Sequence, residues 1–395
     1  MDFTARDRLK LLAGGSFWLL SGCGGGSGSS PTPTSSSGTT PPTTPAPIGF
    51  KPNLLSDTFK NNFKMSATLS SNRINPLDES AKILLDQFKA VTPEWELKPE
   101  NISPAEGVYN FTEADRIVDW ALDNGLEVRG HTLLWHESAP DYMLQGSRDQ
   151  IRTKLENYIT IVMQHFRGRI TSWDVVNEVV SVDLYSGNAG IGPDRDTAWL
   201  QAVGNADYLD WALLAARAAD PNAKLFLSDY ETENPQKRQW LLEILQRFEN
   251  RGVPLDGVGH QFHLQLDTDP QEVLNAIDDV ESEFPNLINH VTEMDMNMYQ
   301  DPGSCWETQT NCQADLGATA PANLLADQAQ IFRTVFDGLV ERTSVEFVNF
   351  WGIKDDDSWL NSVPVERYNY PLLFDRNGEP KPAYYAITDP NYVIS

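Results

Sequence analysis

The sequence predicts an α/β fold, a single (β/α)8 TIM barrel of parallel strands. Short runs rich in β-branched and aromatic residues alternate with longer amphipathic segments through most of the chain. This alternation is the pattern of repeated strand–helix units, and eight such units fit a closed barrel. No second low-complexity stretch divides residues 48–395, so we expect these residues to form one domain.

The chain begins with a segment typical of a lipoprotein signal peptide, residues 1–22. Three basic side chains precede the apolar run LLAGGSFWLL, which is too short to cross a bilayer as a helix. The following LSGC resembles the bacterial lipobox, in which the cysteine, here Cys23, is lipid-modified and becomes N-terminal after cleavage. An ordinary signal peptide with an incidental cysteine is the alternative. We therefore expect an exported lipoprotein of the cell envelope or cell surface, anchored to a membrane through Cys23.

Residues 23–47 predict a linker that carries the lipidated cysteine at its start. The stretch GGGSGSSPTPTSSSGTTPPTTPAP has almost no apolar side chains, so burial cannot offset the entropy of ordering it. Such a tether would hold the domain formed by residues 48–395 away from a membrane surface.

The strong negative charge excludes one class of partner. The whole chain carries a net charge of −26, and residues 1–47 contribute three basic and two acidic side chains, which leaves −27 for the domain. Nucleic acid binding depends on Lys and Arg that neutralise phosphates, so we expect no nucleic acid partner. An uncharged polymer would not be repelled.

The eight predicted strands place polar residues at one end of the barrel. The strands begin at Phe63, Lys89, Leu126, Ile170, Lys224, Gly257, Asn289 and Val345. Because active sites of such barrels lie at the carboxyl ends of the strands, polar side chains there are functional candidates. They are Glu94, Glu96 and Lys98 after strand two, His131, Trp135 and His136 after strand three, Asn177 and Glu178 after strand four, Gln261 and His263 after strand six, Glu293 and Asp295 after strand seven, and Trp351 after strand eight.

Two of these glutamates, Glu178 and Glu293, indicate a reaction. They would face each other across the barrel mouth, and paired carboxyl groups around a sugar bond are the apparatus of glycoside hydrolysis. Either glutamate alone is more often part of a structural salt bridge, but the pair at these strand ends favours catalysis. Trp135, Trp351 and Trp359 near the same rim could stack on pyranose rings, although a single Trp more often packs in a core.

Two further cysteines, Cys305 and Cys312, lie in the polar segment CWETQTNC. In an exported protein this close pair is expected to form a disulfide. Two free thiols are the alternative, and a metal site is less favoured because no second Cys or His pair stands nearby at ligand spacing. We expect neither a metal nor a cofactor, and we expect a monomer.

Dispersed motifs carry a family resemblance over nearly the whole domain. They are ELKPE around Lys98, RGHTLLWH, WDVVNE, the Gln261-Phe262-His263 segment, TEMD, FWG followed by SW, PLLFD and KPAYYAI. With these motifs the chain resembles glycoside hydrolase family 10, the endo-β-1,4-xylanases, and the substrate implied is xylan.

The resemblance implies a role for each matching residue. Glu178 would be the acid/base and Glu293 the nucleophile of a retaining mechanism, with carboxyl groups about 5 to 5.5 Å apart. We expect desolvation and the nearby Glu293 to raise the pKa of Glu178. The supporting residues implied are Asn177 at the sugar 2-hydroxyl, His263 and Asp295 behind Glu293, Glu94, Lys98, His131, Trp135 and Gln261 around the glycone sugars, and Trp351 and Trp359 as aromatic walls.

The sequence also departs from the family pattern at two strand ends. Trp95 stands where family members usually have Asn, and Ser228-Asp229-Tyr230-Glu231 replaces the usual Asn-Asp-Tyr-Asn. These changes leave the reaction type intact but make the sugar preference an open question. The alternatives are a related hydrolase of another β-glycan such as mannan or cellulose, an enzyme for decorated xylan, and a lipoprotein that only binds polysaccharide.

Overall fold

The strands and helices of the barrel follow the alternating segments of the sequence. The computed structural model describes residues 53–181 and 192–395. These residues contain nine strands: β1 (Lys64–Leu69), β2 (Ala90–Pro93), β3 (Glu127–Leu134), β4 (Ser172–Asn177), β5 (Lys224–Asp229), β6 (Gly257–His260), β7 (His263–Gln265), β8 (Ile288–Asn297) and β9 (Val345–Phe350). Parallel pairing runs from β1 to β6, then from β6 to β8, to β9 and back to β1. This closed ring of eight strands confirms the predicted barrel.

The sixth predicted strand, GVGHQFHL, is divided in two. The chain turns at Phe262, whose φ of 54° lies in the left-handed region. β6 therefore pairs with β5 and β8, whereas β7 pairs only with β8 and sets His263 opposite Asp295. At the break the carbonyl of Gln261 still accepts a bond from the backbone N–H of Glu293 at 3.1 Å. The division thus occurs where two candidate site residues leave the strand.

Helices connect the strands, and the longer ones bury one face against the barrel. The helix Arg148–His165 begins with a capping box between Ser147 and Gln150, and the helix Pro235–Arg251 ends at Gly252 with φ 65°, as cap preferences predict. The described helices are Leu55–Thr58, Glu79–Gln87, Pro99–Ile102, Thr112–Asp123, Arg148–His165, Ala198–Val203, Asp207–Ala219, Pro235–Arg251, Pro270–Glu283, Gly303–Thr308, Ala322–Leu339 and Pro382–Thr388.

A polar network fills part of the barrel interior near the carboxyl end. The amide oxygen of Asn349 accepts bonds from the hydroxyls of Ser66 at 2.7 Å and Thr92 at 3.1 Å. Its amide nitrogen donates to the carbonyl of Thr292 at 2.8 Å. Each of these buried polar groups has a hydrogen-bond partner, which offsets the cost of removing it from water. The network thereby links β1, β2, β8 and β9.

The predicted disulfide between Cys305 and Cys312 is present, and it joins the helix Gly303–Thr308 to the segment that follows it. In the parts of the chain that are described, no helix is both long and apolar enough to cross a membrane. The predicted signal peptide, Cys23 and the linker to residue 47 lie outside the described residues.

Candidate active site

Glu178 directly follows β4 in a left-handed backbone conformation, with φ 56°. Such a conformation costs a residue with a Cβ about 1 to 2 kcal/mol and persists only where its surroundings hold it. Here the backbone N–H of Glu178 donates to the carbonyl of Ser228 at 2.8 Å. The turn ends β4 and leaves the side chain at the mouth of the barrel.

The Glu178 carboxylate is surrounded by donors and cations. The indole N–H of Trp135 donates to Oε2 at 2.8 Å, the Gln261 amide lies 3.5 Å from Oε1, and the Arg195 guanidinium lies 3.7 Å from Oε2. Burial alone would raise the pKa of Glu178, but His136, Arg195 and the Trp135 hydrogen bond outweigh it and the pKa is lowered. The sequence-based expectation of a raised pKa is therefore wrong, since it counted burial without these neighbours.

Glu293 on β8 is also buried, but its surroundings differ. One carboxylate oxygen, Oε2, lies 3.4 Å from Nε2 of His263, and the other, Oε1, lies 3.8 Å from Nδ1 of His131. Oε1 has no hydrogen-bond partner within the described residues. A buried carboxylate oxygen without a hydrogen bond is costly to maintain, and it suits a group that forms a bond with substrate.

His263 and Asp295 hold Glu293 from behind. Nδ1 of His263 donates to Oδ1 of Asp295 at 2.9 Å, and the indole N–H of Trp359 donates to Oδ2 of the same carboxylate at 2.8 Å. Burial would lower the pKa of His263, but the charge of Asp295 and the contacts with both carboxylates raise it to about 10. The imidazole is therefore a cation at neutral pH, and it places a positive charge 3.4 Å from the Glu293 carboxylate.

Asn177, the last residue of β4, presents a free amide donor beside Glu178. Its Oδ1 accepts a bond from Gln261 at 3.2 Å, which fixes the orientation of the amide. Its Nδ2 is buried and has no hydrogen-bond partner in the described part of the chain. The amide can therefore donate to a ligand oxygen, such as a sugar hydroxyl.

His131 on β3 is held by Asp174, which forms a buried ion pair with Arg129. Its Nδ1 lies 3.0 Å from Asp174, and its ring meets Trp351 edge to face at 5.1 Å. Ligand atoms of His131, Asp174 and Glu293 lie within 4.8 Å of one another. This group does not fit a metal ion, because the Arg129 guanidinium already neutralises Asp174 and would repel a second cation.

Lys98 is buried between two indole rings. Its Nζ lies 3.9 Å from the ring centroid of Trp95 and 4.8 Å from that of Trp135. Burial lowers the pKa of Lys98, an effect opposed by Glu94 and Glu293 among other carboxylates. Burial raises the pKa of Glu94, whose Oε2 accepts a bond from Ser70 at 2.7 Å. Glu94 also lines a small cavity with Trp351.

A larger cleft, with a volume of about 330 Å³, has Glu178 in its wall. Its lining residues are Glu178, Tyr230, Glu231, Gln261, His263, Leu264, Asp295, Asn297, Trp306, Glu307, Trp359 and Leu360. Trp306 was not predicted as a site residue, because the segment CWETQTNC was interpreted only as a disulfide loop. Arg195 was not predicted either, because no motif marks it.

The contacts join the predicted site residues into one connected group, while their chemical roles remain predictions. The group contains Glu94, Lys98, His131, Trp135, Asn177, Glu178, Gln261, His263, Glu293, Asp295, Trp351 and Trp359. Glu96 serves the loop instead, because its carboxylate accepts bonds from the backbone N–H groups of Ser71 and Trp95. The buried ring of His260 contacts Thr232 at 2.8 Å and Asn289 at 3.0 Å, so this histidine is part of the barrel structure.

A closed parallel barrel with two buried glutamates at its carboxyl end, beside an aromatic-lined cleft, defines a glycoside hydrolase of the (β/α)8 class. The sequence pattern of glycosyl hydrolase family 10 matches residues 54–390. Because this match spans most of the chain, the protein belongs to glycosyl hydrolase family 10.

Characterised relatives are similar over the same region. The thermostable celloxylanase of Thermoclostridium stercorarium is 35% identical over 359 residues, covering 85% of this chain and 87% of the relative. The β-1,4-xylanase of Dictyoglomus thermophilum is 35% identical over 337 residues, covering 84% and 90%. An exoglucanase of Acetivibrio thermocellus is 34% identical over 356 residues, but the match spans only 30% of that longer protein.

Solved structures share the fold. The crystal structure of xylanase B from Clostridium stercorarium F9 matches with a TM-score of 0.77 at 35% sequence identity, covering 85% of this chain and 99% of that one. An endoxylanase retrieved from a sugarcane soil metagenome matches with a TM-score of 0.75 at 29% identity, covering 85% and 100%.

Proposed function

We propose that this protein is a retaining endo-1,4-β-xylanase that hydrolyses internal β-1,4-xylosidic bonds of xylan. The observation that carries the proposal is the contrast between the two glutamates. Glu293 keeps one buried oxygen without a hydrogen bond while His263 holds the other at 3.4 Å. Glu178 lines the cleft and is surrounded by donors. The xylanase names of several relatives support the choice of substrate.

The proposed reaction is a double displacement. In the first step Glu293 attacks the anomeric carbon while Glu178 donates its proton to the departing glycosidic oxygen, which leaves a covalent glycosyl-enzyme. In the second step Glu178 removes a proton from water, the water oxygen attacks the same carbon, and the Glu293 carboxylate departs. Two inversions give net retention of the β-configuration, which requires the two carboxyl groups to be about 5 to 5.5 Å apart.

The surrounding residues would bind and orient the sugar. The free amide donor of Asn177 is suited to the 2-hydroxyl next to the reacting carbon, and the His263 imidazolium would hold the Glu293 carboxylate in place for its attack. Glu94, Lys98, His131, Trp135 and Gln261 would bind glycone sugars, with Trp351 and Trp359 as the aromatic walls.

Product analysis tests the proposal. Purified enzyme should release reducing sugars from xylan faster than from mannan or cellulose, and NMR should detect the β-anomer first. Release of the α-anomer first would contradict the retaining mechanism. Binding of xylan without any turnover of a chromogenic xylobioside would mean that the protein is only a binding lipoprotein.

A second candidate function is hydrolysis of another β-glycan or of decorated xylan. Two observations favour it: the indole of Trp95 replaces the usual amide, and one similar protein is named a celloxylanase and another an exoglucanase. Comparing plain xylan with arabinose- and glucuronate-decorated xylans and with cellulose would separate these substrates.

We further propose that the protein is an exported lipoprotein that acts as a monomer on the envelope or cell surface. The motif that ends at Cys23 and the linker to residue 47 support the anchor. Wild-type protein should fractionate with membranes, and Cys23→Ser should release it or block its processing. Unchanged membrane association of the variant would contradict the anchor, and light scattering of the soluble domain would measure its oligomeric state.

A further inference from the structure

The cleft of about 330 Å³ lies on the leaving-group side of the proposed bond cleavage. Glu178 lines this cleft, whereas Glu94 lines a separate small cavity with Trp351. A general acid must reach the departing oxygen, so the sugar that departs lies on the Glu178 side. We therefore assign to the leaving group and the sugars attached to it the part of this wall that has no role on the glycone side, which includes Trp306.

Trp306 stands in this wall next to Trp359. The two ring centroids are 6.1 Å apart and the ring planes are inclined at 48°, so together the indoles form an angled apolar surface. Trp306 is half-buried and lines the cleft. Indole faces pack against the apolar C–H faces of pyranose rings, which makes a sugar the expected ligand of this surface.

The segment that carries Trp306 is short and is held by covalent and polar contacts. The helix Gly303–Thr308 has six residues, which is far below the length at which an isolated helix is stable. The disulfide joins the fully buried Cys305 to Cys312, and the amide of Gln309 donates to the carbonyl of Pro364 at 2.8 Å. These contacts hold the segment that carries Trp306 in one conformation before a sugar binds. Binding therefore does not have to order the segment, and the associated loss of conformational entropy is avoided.

We propose that Trp306 is a sugar-stacking platform for the leaving-group side of the cleft and that the Cys305–Cys312 disulfide holds it in place. The proposal rests on the function proposed above and adds a specificity determinant to it. Because Trp306 acts on departing sugars, it affects oligosaccharides and xylan but not substrates whose leaving group is a single small atom.

The test compares Trp306→Ala with wild type on xylotetraose and on β-xylobiosyl fluoride, which fills the glycone side but carries no departing sugar. We expect kcat/KM for xylotetraose to fall about threefold to tenfold, the range of a lost aromatic contact. The value for the fluoride should stay unchanged. Trp306→Phe, which keeps a ring, should recover most of the loss on xylotetraose.

Equal losses on the two substrates, or no loss on either, would overturn the role of Trp306. The proposed function fails in a distinguishable way, because wild-type enzyme would then release no fluoride from xylobiosyl fluoride. Transfer to added xylobiose provides a second readout, since the acceptor binds on the same side. Trp306→Ala should lower the ratio of transfer to hydrolysis, and an unchanged ratio would contradict the proposal.

The double variant Cys305→Ser/Cys312→Ser tests the disulfide. It should reproduce the selective loss on xylotetraose while fluoride release and the circular dichroism spectrum of the barrel stay as in wild type. A double variant with full activity on xylotetraose would overturn the positioning role of the disulfide. A loss on both substrates would overturn it too, because the bond would then support the whole site.

Discussion

Replacing Trp95 by the family's usual Asn should improve binding of a distal glycone sugar. The indole, 40% exposed, lies with its ring centroid 3.9 Å from Nζ of the buried Lys98. Trp95→Asn removes this cation–π contact, worth about 0.5 to 2 kcal/mol. The loss should lie at the low end because Trp135 still covers the ammonium at 4.8 Å.

The new amide could offer a hydrogen bond to a sugar hydroxyl worth about 0.5 to 1.5 kcal/mol. An indole has one donor and no acceptor, so it cannot reproduce that bond. With a cation–π loss near the low end of about 0.5 kcal/mol, the net gain reaches about 1 kcal/mol, so we expect kcat/KM for an aryl xylobioside to rise by up to about fivefold in Trp95→Asn.

Comparing an aryl xylobioside with an aryl xyloside isolates this effect. A shift of Lys98 would alter both substrates alike, whereas only the longer substrate reaches the distal subsite. Trp95→Phe is the matched control: it keeps an aromatic face beside Lys98, adds no amide and should show no gain. If both substrates respond equally to Trp95→Asn, or neither responds, Trp95 only packs on Lys98 and the reasoning is refuted.

Four further substitutions have defined outcomes. Glu293→Ala should abolish turnover, whereas Glu178→Ala should spare glycosylation by aryl xylobiosides with leaving groups that need no proton; equal losses in a burst assay would reject these roles. Arg195→Gln removes a cation 3.7 Å from Glu178, so the pKa of Glu178 should rise. The basic limb of the profile of kcat/KM against pH should then move to higher pH. An unchanged basic limb would mean that Arg195 does not influence the pKa of Glu178. Lys381→Met leaves the buried carboxylate of Asp355 without its partner at 3.0 Å. The free energy of unfolding, measured by urea titration, should fall by about 3 to 5 kcal/mol. A fall below about 1 kcal/mol would contradict a tight ion pair.

The barrel and most of its site could be predicted because both follow from local patterns. The strand-like runs ended in polar residues, and in a (β/α)8 barrel the carboxyl ends of all strands lie at the same face. These polar residues were therefore expected to lie together. The break in the sixth strand could not be predicted in this way. GVGHQFHL reads as one continuous strand, and a phenylalanine such as Phe262 gives no sign of a positive φ, since Gly and Asn are the residues that favour that conformation.

Residues that reach the site from the connections between strands were harder to predict. Arg195 lies between strands and belongs to no motif, yet its guanidinium approaches Glu178. Trp306 lies in the segment CWETQTNC, and the two cysteines alone explained that segment as a disulfide loop. In both cases the informative contact joins residues distant in sequence, and no periodicity of one segment encodes such a contact.

The lowered pKa of Glu178 changes how its two roles are balanced. Its cations and its indole donor favour the carboxylate, the form needed when it acts as a base toward water. The acid role needs the proton, and a carboxylate close by, as Glu293 would be in the proposed mechanism, would favour keeping it, because two nearby carboxylates resist double ionisation. Glycosylation of Glu293 would remove that influence and would favour Glu178 as a base. Arg195 remains charged through both steps, which makes it the neighbour whose removal should displace the pH profile without altering the chemistry.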